Sequence, residues 1–362
     1  MTGALSARSA GLLVGSIPAL ESTSSDSRRG AVVLRLAGLH HITMITADAR
    51  RNAEFYADVL GLRLVKKTVN FDAPDAYHLY FGDEIGSPGS LLTWFEFPGA
   101  TRGRPGPGMI HRIELAVDGE DALRFWESRL TERGYSPRGE GDELRFEDYD
   151  GLTFALRVDL ARDDPPLRAW HPEIPAEHAI AGIAGARAYV PAVHLDEESR
   201  LLTETLGFGF EGGGRYRLGG AERQFRWSYD AAGEIVGRQG AGTVHHIAWA
   251  CPDDDQVGWR EHILRQGINV TDVIDRDYFR SIYFREPRHV LFEIATLGPG
   301  FAVDESPDHL GEELRLPVQH EHLRAGLEQI LAPVKNPRAV GEAARAVGEA
   351  AQDPRAAREA TH

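Results

Sequence analysis

The sequence predicts an α+β protein in which four βαβββ modules pair into two curved, barrel-like mixed sheets with the helices outside. Three observations carry this expectation. A strand-like run, a helical stretch and a glycine recur four times. The glycines, Gly61, Gly134, Gly207 and Gly267, are spaced 73, 73 and 60 residues apart. After each glycine come short alternating runs with turn residues between them. A module of this kind cannot cover its own sheet face, so neighbouring modules must stack.

The first module opens on His41-Ile42-Thr43-Met44-Ile45-Thr46, turns helical over 52–60 and stops at Gly61. Strands are expected at 62–69, 77–81 and 91–97. The second opens at 111–117 with a helix over 121–133, and the third at 186–190 with a helix over 197–206. The fourth opens at 246–250, has its helix over 255–266, and continues in strands at 269–274, 279–284 and 290–295. Apolar pairs four residues apart mark the buried side of each helix: Phe55/Val59, Trp126/Leu130, Leu202/Leu206 and Trp259/Ile263. Glycine suits the left-handed residue that ends such helices.

Modules one and two occupy 36–162, a Pro-rich linker 163–181, and modules three and four with a C-terminal segment 182–330. Residues 1–35 read as a disordered N-terminal extension and 331–362 as a flexible tail rich in Ala, Arg and Glu. The 362 residues carry 40 basic and 55 acidic side chains, and a net charge of −15 argues against nucleic-acid or anionic-membrane partners. No apolar run approaches the roughly 18 residues of a membrane helix. The lone Cys251 cannot form an internal disulfide and fits a reducing compartment. The expectation is a cytoplasmic protein acting on a small molecule, with homo-oligomerisation left open.

Two opening strands begin with a doubled histidine, His40-His41 and His245-His246. Strand alternation puts His40 and His245 on the bulky side with Ile42, Met44, Ile247 and Trp249, expected to pack against helices. It puts His41 and His246 with Thr43, Ala248 and Ala250, the smaller side, suited to a cavity wall. One such pair could simply be hydrogen-bonded histidines; recurrence at equivalent repeat positions favours ligands. Glu293 lies within Leu291-Phe292-Glu293-Ile294-Ala295, where an ionised carboxylate needs a cation or strong donors. Two His and one Glu form a three-ligand set suited to Fe(II), with Mn(II) compatible with the same donors. The matching strand of module one offers Thr93 or Trp94, so a fourth ligand is missing. The hairpin symmetric about Arg288 puts Tyr283 opposite Glu293, and Arg276 is a candidate cavity cation.

Longer runs resemble a known family. They are His40-His41-Ile42-Thr43, Leu60-Gly61-Leu62-Arg63-Leu64-Val65, Tyr77-His78-Leu79-Tyr80-Phe81-Gly82-Asp83, Val244-His245-His246-Ile247, Asp275-Arg276, Ser281-Ile282-Tyr283-Phe284-Arg285-Glu286 and Leu291-Phe292-Glu293-Ile294-Ala295-Thr296. Together, over about 38–324, they resemble the vicinal-oxygen-chelate superfamily and, within it, the hydroquinone-type ring-cleaving dioxygenases. That resemblance implies one Fe(II) on His41, His246 and Glu293, lying between modules one and four. It also implies active-site roles for His40, Thr43, His245, Arg276 and Tyr283, with His40 or His245 moving protons near neutral pH. The implied reaction is O2-dependent opening of a hydroquinone or related dihydroxylated ring, with a small aromatic substrate and O2 as partners. Two alternatives share the fold: a glyoxalase-like Zn- or Ni-dependent lyase or isomerase, which wants a fourth ligand, and a non-catalytic small-molecule binder, which needs neither the histidine pairs nor a buried Glu.

Overall fold

The computed structural model describes residues 33–158, 165–195, 197–219 and 223–336. The N-terminal extension up to residue 32 and the tail from 337 onward lie outside the described residues.

Sixteen strands arise as four sets of four among the described residues. Module one contributes β1 (Gly38–Thr46), β2 (Arg63–Asn70), β3 (Ala73–Gly82) and β4 (Leu91–Glu96). Module two contributes β5 (Ile110–Val117), β6 (Arg138–Glu140), β7 (Glu143–Glu147) and β8 (Thr153–Val158). Module three contributes β9 (Ile183–Val190), β10 (Gly209–Gly212), β11 (Arg215–Gly219) and β12 (Gln224–Ala231). Module four contributes β13 (Thr243–Cys251), β14 (Ile274–Asp275), β15 (Phe279–Arg285) and β16 (Leu291–Pro299).

Sheet pairing joins the first module to the fourth and the second to the third. The first sheet runs β14-β15-β16-β13-β1-β4-β3-β2 and the second β10-β11-β12-β9-β5-β8-β7-β6. In each, two opening strands meet antiparallel at the centre, β1 with β13 and β5 with β9, and each is flanked by the parallel closing strand of its own module. The ends of the repeat region are thereby stitched into one sheet.

Helical segments follow the opening strands. Asp48 caps α1 (Ala49–Ala53) by accepting from the amides of Arg50 and Arg51, and α1 runs on into a π-helical turn over Glu54–Val59. The second and fourth modules form α2 (Glu120–Glu132) and α3 (Gln256–Arg265). Module three forms only a short π-helical turn, Leu201–Thr205, where the sequence led us to expect a helix over 197–206. Gly61, Gly134, Gly207 and Gly267 all adopt positive φ, between 70° and 84°.

Alternation sorts the first sheet into two faces. Ile42, Met44, Ile247, Trp249, Ile282, Phe284, Phe292 and Ile294 enter the main core, where Trp259 and Ile263 of α3 also pack. The other face carries a smaller cluster containing Val65, Tyr80, Leu91, Ala248, Phe279 and Ala295, joined by Phe301 and Leu310 from the segment after β16. That segment crosses the terminal strand β2: Arg63 donates to the carbonyl of Asp308, and the Lys67 ammonium donates to the carbonyls of Glu312 and Val334. Covering β2 in this way protects a sheet edge. Lys66, fully buried, is held by the carboxylates of Asp304 and Glu305. A last short helix, α4 (Arg324–Ile330), follows. No helix among the described residues is long and apolar enough to cross a membrane.

Candidate metal centre

Three side chains converge on the concave face of the first sheet. Nε2 of His41 lies 3.2 Å from Nε2 of His246, and Oε2 of Glu293 lies 3.4 Å from the first and 2.9 Å from the second. Their donor atoms all fall within 4.8 Å of one another, and all three residues are buried. The ladder explains why. His41 pairs with Ala248, Thr43 with His246, and Ala248 in turn with Glu293, so the three side chains emerge side by side on one face.

The doubled histidines depart from simple alternation. The β1–β13 register slips between Leu39 and His41 and again between Thr43 and Met44, opposite His246 and Val244. His40 and His245 therefore each sit in a β-bulge, which re-aims a side chain. Both were expected on the helix-packing side; instead each lies beside its neighbouring histidine. Nδ1 of His40 is 2.9 Å from Nδ1 of His41, and Nδ1 of His245 is 2.8 Å from Nδ1 of His246. The ring of His40 packs 4.8 Å from that of Phe279, and His245 lies 5.5 Å from Phe95, both residues that line the same cavity. His40 also bonds to the backbone of Thr296, so it donates there and its Nδ1 accepts the Nδ1 proton of His41. Burial, more than any neighbour, lowers His40 and His245 to about 3. Both are thus neutral acceptors near neutral pH rather than proton carriers.

Glu293 is fully buried, and its Oε1 accepts from the Ser281 hydroxyl, while Oε2 has no ordinary hydrogen-bond donor. Although burial opposes its charge, the two imidazoles hold the carboxyl well below the usual range. Burial likewise lowers His246. Two imidazole nitrogens and a carboxylate oxygen without a hydrogen-bond donor, aimed at one point, form a donor set that fits a divalent cation. Among the described residues this is the one such cluster.

The cavity in front of it is small, about 30 Å³. His41, His246, Phe71, His78, Phe95 and Phe279 line it, together with Tyr80, Arg276 and Tyr283. Tyr283 pairs directly with Glu293 across the β15–β16 ladder. Arg276 hydrogen-bonds the Tyr283 oxygen and reaches Asp72 of module one at 3.2 Å. Thr43 is fully buried and lies 2.8 Å from Thr93, which occupies the register position in module one that Glu293 holds in module four.

Three participants escaped the sequence reading. Ser281 is two residues from Tyr283 and shares its face, a parity signal that was available. His78 and Tyr80 stand in the same relation on β3, where Tyr80 pairs with Thr93.

The second sheet repeats the frame without the ligands. Its register slips at His111 and Ala184 as β1–β13 slips at His40 and His245. Arg112 and Gly185 stand where His41 and His246 do, and Ser228, paired with Arg187 as Glu293 is with Ala248, stands where Glu293 does. Arg112 pairs with Glu143 at 3.3 Å, Arg157 with Glu114 at 3.5 Å, and Arg187 with Asp230.

Residues 38–156 match the family model of the glyoxalase/bleomycin resistance protein/dioxygenase superfamily. The chain is 42% identical over 314 residues to the protein named ring-cleaving dioxygenase MhqO of Bacillus subtilis, covering 82% of this chain and 96% of that one. The chain belongs to this superfamily. It groups there with ring-cleaving dioxygenases: it is 33% identical over 322 residues to the chlorohydroquinone/hydroquinone 1,2-dioxygenase of Sphingobium indicum, covering 84% of this chain and 97% of that one. A dioxygenase crystal structure from Bacillus subtilis superposes with a TM-score of 0.75 at 39% identity, over 84% of this chain and 99% of that one. The mixed α+β architecture is thus that of the glyoxalase-fold dioxygenases, and the buried His-His-Glu cluster is a group that could hold a metal ion.

Proposed function

We propose that this dioxygenase opens the ring of a hydroquinone or a related dihydroxylated benzene with O2, using Fe(II) held by His41, His246 and Glu293. The observation that carries the reading is the convergence of two imidazole nitrogens and one unsatisfied carboxylate oxygen at the head of a small aromatic-walled cavity. Three protein ligands leave positions open for a substrate oxygen and O2, the chemistry a bound Fe(II) supplies. Thr93, in place of a second carboxylate, disfavours the four-ligand lyase or isomerase alternative.

The chain's own residues have separable tasks. His40 and His245, through Nδ1, fix the rings of His41 and His246 so that each presents Nε2. Ser281 fixes one oxygen of Glu293 and so aims the other. Tyr283, beside Arg276, stands where a phenol can hydrogen-bond a substrate oxygen that gains negative charge. Phe95 and Phe279 exclude water around these groups and supply faces for an aromatic ring. A cytoplasmic location accords with the single buried thiol, Cys251.

The test is anaerobic removal of metal, reloading with Fe(II) or Mn(II), and oxygen consumption on a panel of hydroquinones and catechols. Uptake with a hydroquinone on Fe(II) loading is expected. No uptake across the panel from fully loaded protein rejects the assignment.

A further inference from the structure

The two phenols of the cavity are equivalent by the internal repeat but wired oppositely. Tyr80 pairs with Thr93 as Tyr283 pairs with Glu293, and Thr93 and Glu293 each lie beside the opening strand of their own module. Behind Tyr283 stands a guanidinium, that of Arg276, which can only donate. Behind Tyr80 stands an imidazole: the Tyr80 oxygen is 2.9 Å from Nδ1 of His78, and Nε2 of His78 is 3.1 Å from Oγ1 of Thr93. His78 is buried and neutral, so one of its nitrogens donates and the other accepts. A phenol O–H is a stronger donor than a neutral imidazole N–H, so the Tyr80 proton points at Nδ1 and Nε2–H is given to Thr93. Thr93 lies 2.8 Å from Thr43, which continues the chain of hydroxyls. Consequently Tyr80 presents a lone pair to the cavity.

We infer that Tyr80 is a specificity residue whose oxygen accepts a hydrogen bond from the free hydroxyl of a 1,4-dihydroxybenzene, with His78 the positioning residue that holds its proton away. The inference rests on the ring-cleaving reading for the placement of the other substrate oxygen, near Tyr283 and the three ligands. An acceptor is selective in a way a freely rotating hydroxyl is not. It welcomes a hydroxyl and gives nothing to an ether oxygen at the same position. Substrates with a masked second oxygen are therefore discriminated at this end of the cavity, beside the walls of Phe95 and Phe279 that any benzene ring satisfies.

The experiment is calorimetric titration of the metal-loaded full chain under anaerobic conditions with hydroquinone and with 4-methoxyphenol, metal content being measured for each sample. The wild-type protein should prefer hydroquinone about tenfold, the size of one net hydrogen bond. Tyr80→Phe should bring the two ligands within about twofold by weakening hydroquinone alone. His78→Phe should do the same by tightening 4-methoxyphenol, because the released phenol proton can then turn to the ether oxygen; loss of packing alone would not improve any ligand. A wild-type ratio retained in Tyr80→Phe, or no preference in the wild type, overturns the inference. Oxygen uptake on hydroquinone, recorded with the same wild-type sample, reads ring cleavage separately. Uptake with an unchanged ratio in Tyr80→Phe defeats only the role of Tyr80, and an altered ratio without uptake defeats only ring cleavage.

Discussion

Ser281 donates its hydroxyl proton to Oε1 of Glu293, and so turns Oε2 toward both imidazoles. The two residues lie on adjacent strands, with Ser281 paired to Ala295 and Tyr283 paired to Glu293 itself. A carboxylate anchored by one oxygen has a single useful orientation. Removing the anchor and removing the carboxylate should therefore differ in degree rather than in kind.

Glu293→Gln should cost more than 100-fold in divalent-metal affinity while leaving the far-ultraviolet circular dichroism unchanged, because the amide keeps the shape and loses the charge. Ser281→Ala should cost about 10- to 100-fold, the usual range for partners of a metal ligand. Chelator competition measures both. Full metal retention in Glu293→Gln would remove that residue from the site.

His40→Phe should weaken metal binding about tenfold or more. The buried Nδ1–H of His41 then loses its acceptor, at a cost of about 1–3 kcal/mol, and the ring is free to turn. The same chelator competition gives the answer, and an unaltered affinity would show that the bulge orients nothing.

Asp148 supplies a pH signature distant from the metal. It accepts from the Tyr56 hydroxyl at 2.7 Å, and burial pushes it up to about 6 from its ordinary 3.8. The folded state thus holds this proton to a higher pH than the unfolded chain does. Its contribution to stability is full below about pH 4 and is lost as pH climbs through 6, by up to about 3 kcal/mol. Asp148→Asn should flatten that part of the urea-unfolding profile between pH 4.5 and 7. If the variant and the wild type lose stability in parallel, Asp148 ionises as freely in the fold as outside it.

Two helix-ending glycines should respond differently to alanine. At Gly61, with φ of 70°, an added Cβ would lie 2.4 Å from Cδ1 of Ile174. At Gly134, with φ of 84°, it would meet nothing within 4 Å. Gly134→Ala should cost about 1 kcal/mol of backbone strain. Gly61→Ala should cost more, since the buried Cδ1 methyl of Ile174 must also move aside. Equal melting temperatures for the two variants would contradict the close approach.

The repeat was readable because each module restates the same physical requirement: an alternating strand, an apolar helix face and a left-handed glycine. Alternation also led us to expect His41, His246 and Glu293 on one side of the sheet, since a period of two survives any uncertainty about strand ends. It failed at His40 and His245 because a bulge inserts one residue and shifts the alternation beyond it, and nothing in the local composition marks a bulge. The third helix was overestimated for a related reason: Leu202 and Leu206 have helical spacing, yet only Leu201–Thr205 forms a wide turn. Ser281, His78 and Tyr80 lay within quoted runs, but their importance depends on cross-strand neighbours that a linear reading did not bring together.

The second sheet, built from the middle of the polypeptide, fills its copy of the site with arginines and acids paired to one another. The first sheet joins an early strand, β1, to β13, whose histidine lies 205 residues further along, with one ligand on the early side and two on the late. A nascent chain can thus complete its central half while the grip for the ion is still one imidazole. Loading then becomes a step that follows translation, and a protein interrupted before Glu293 would emerge with a sound middle and no place to keep its metal.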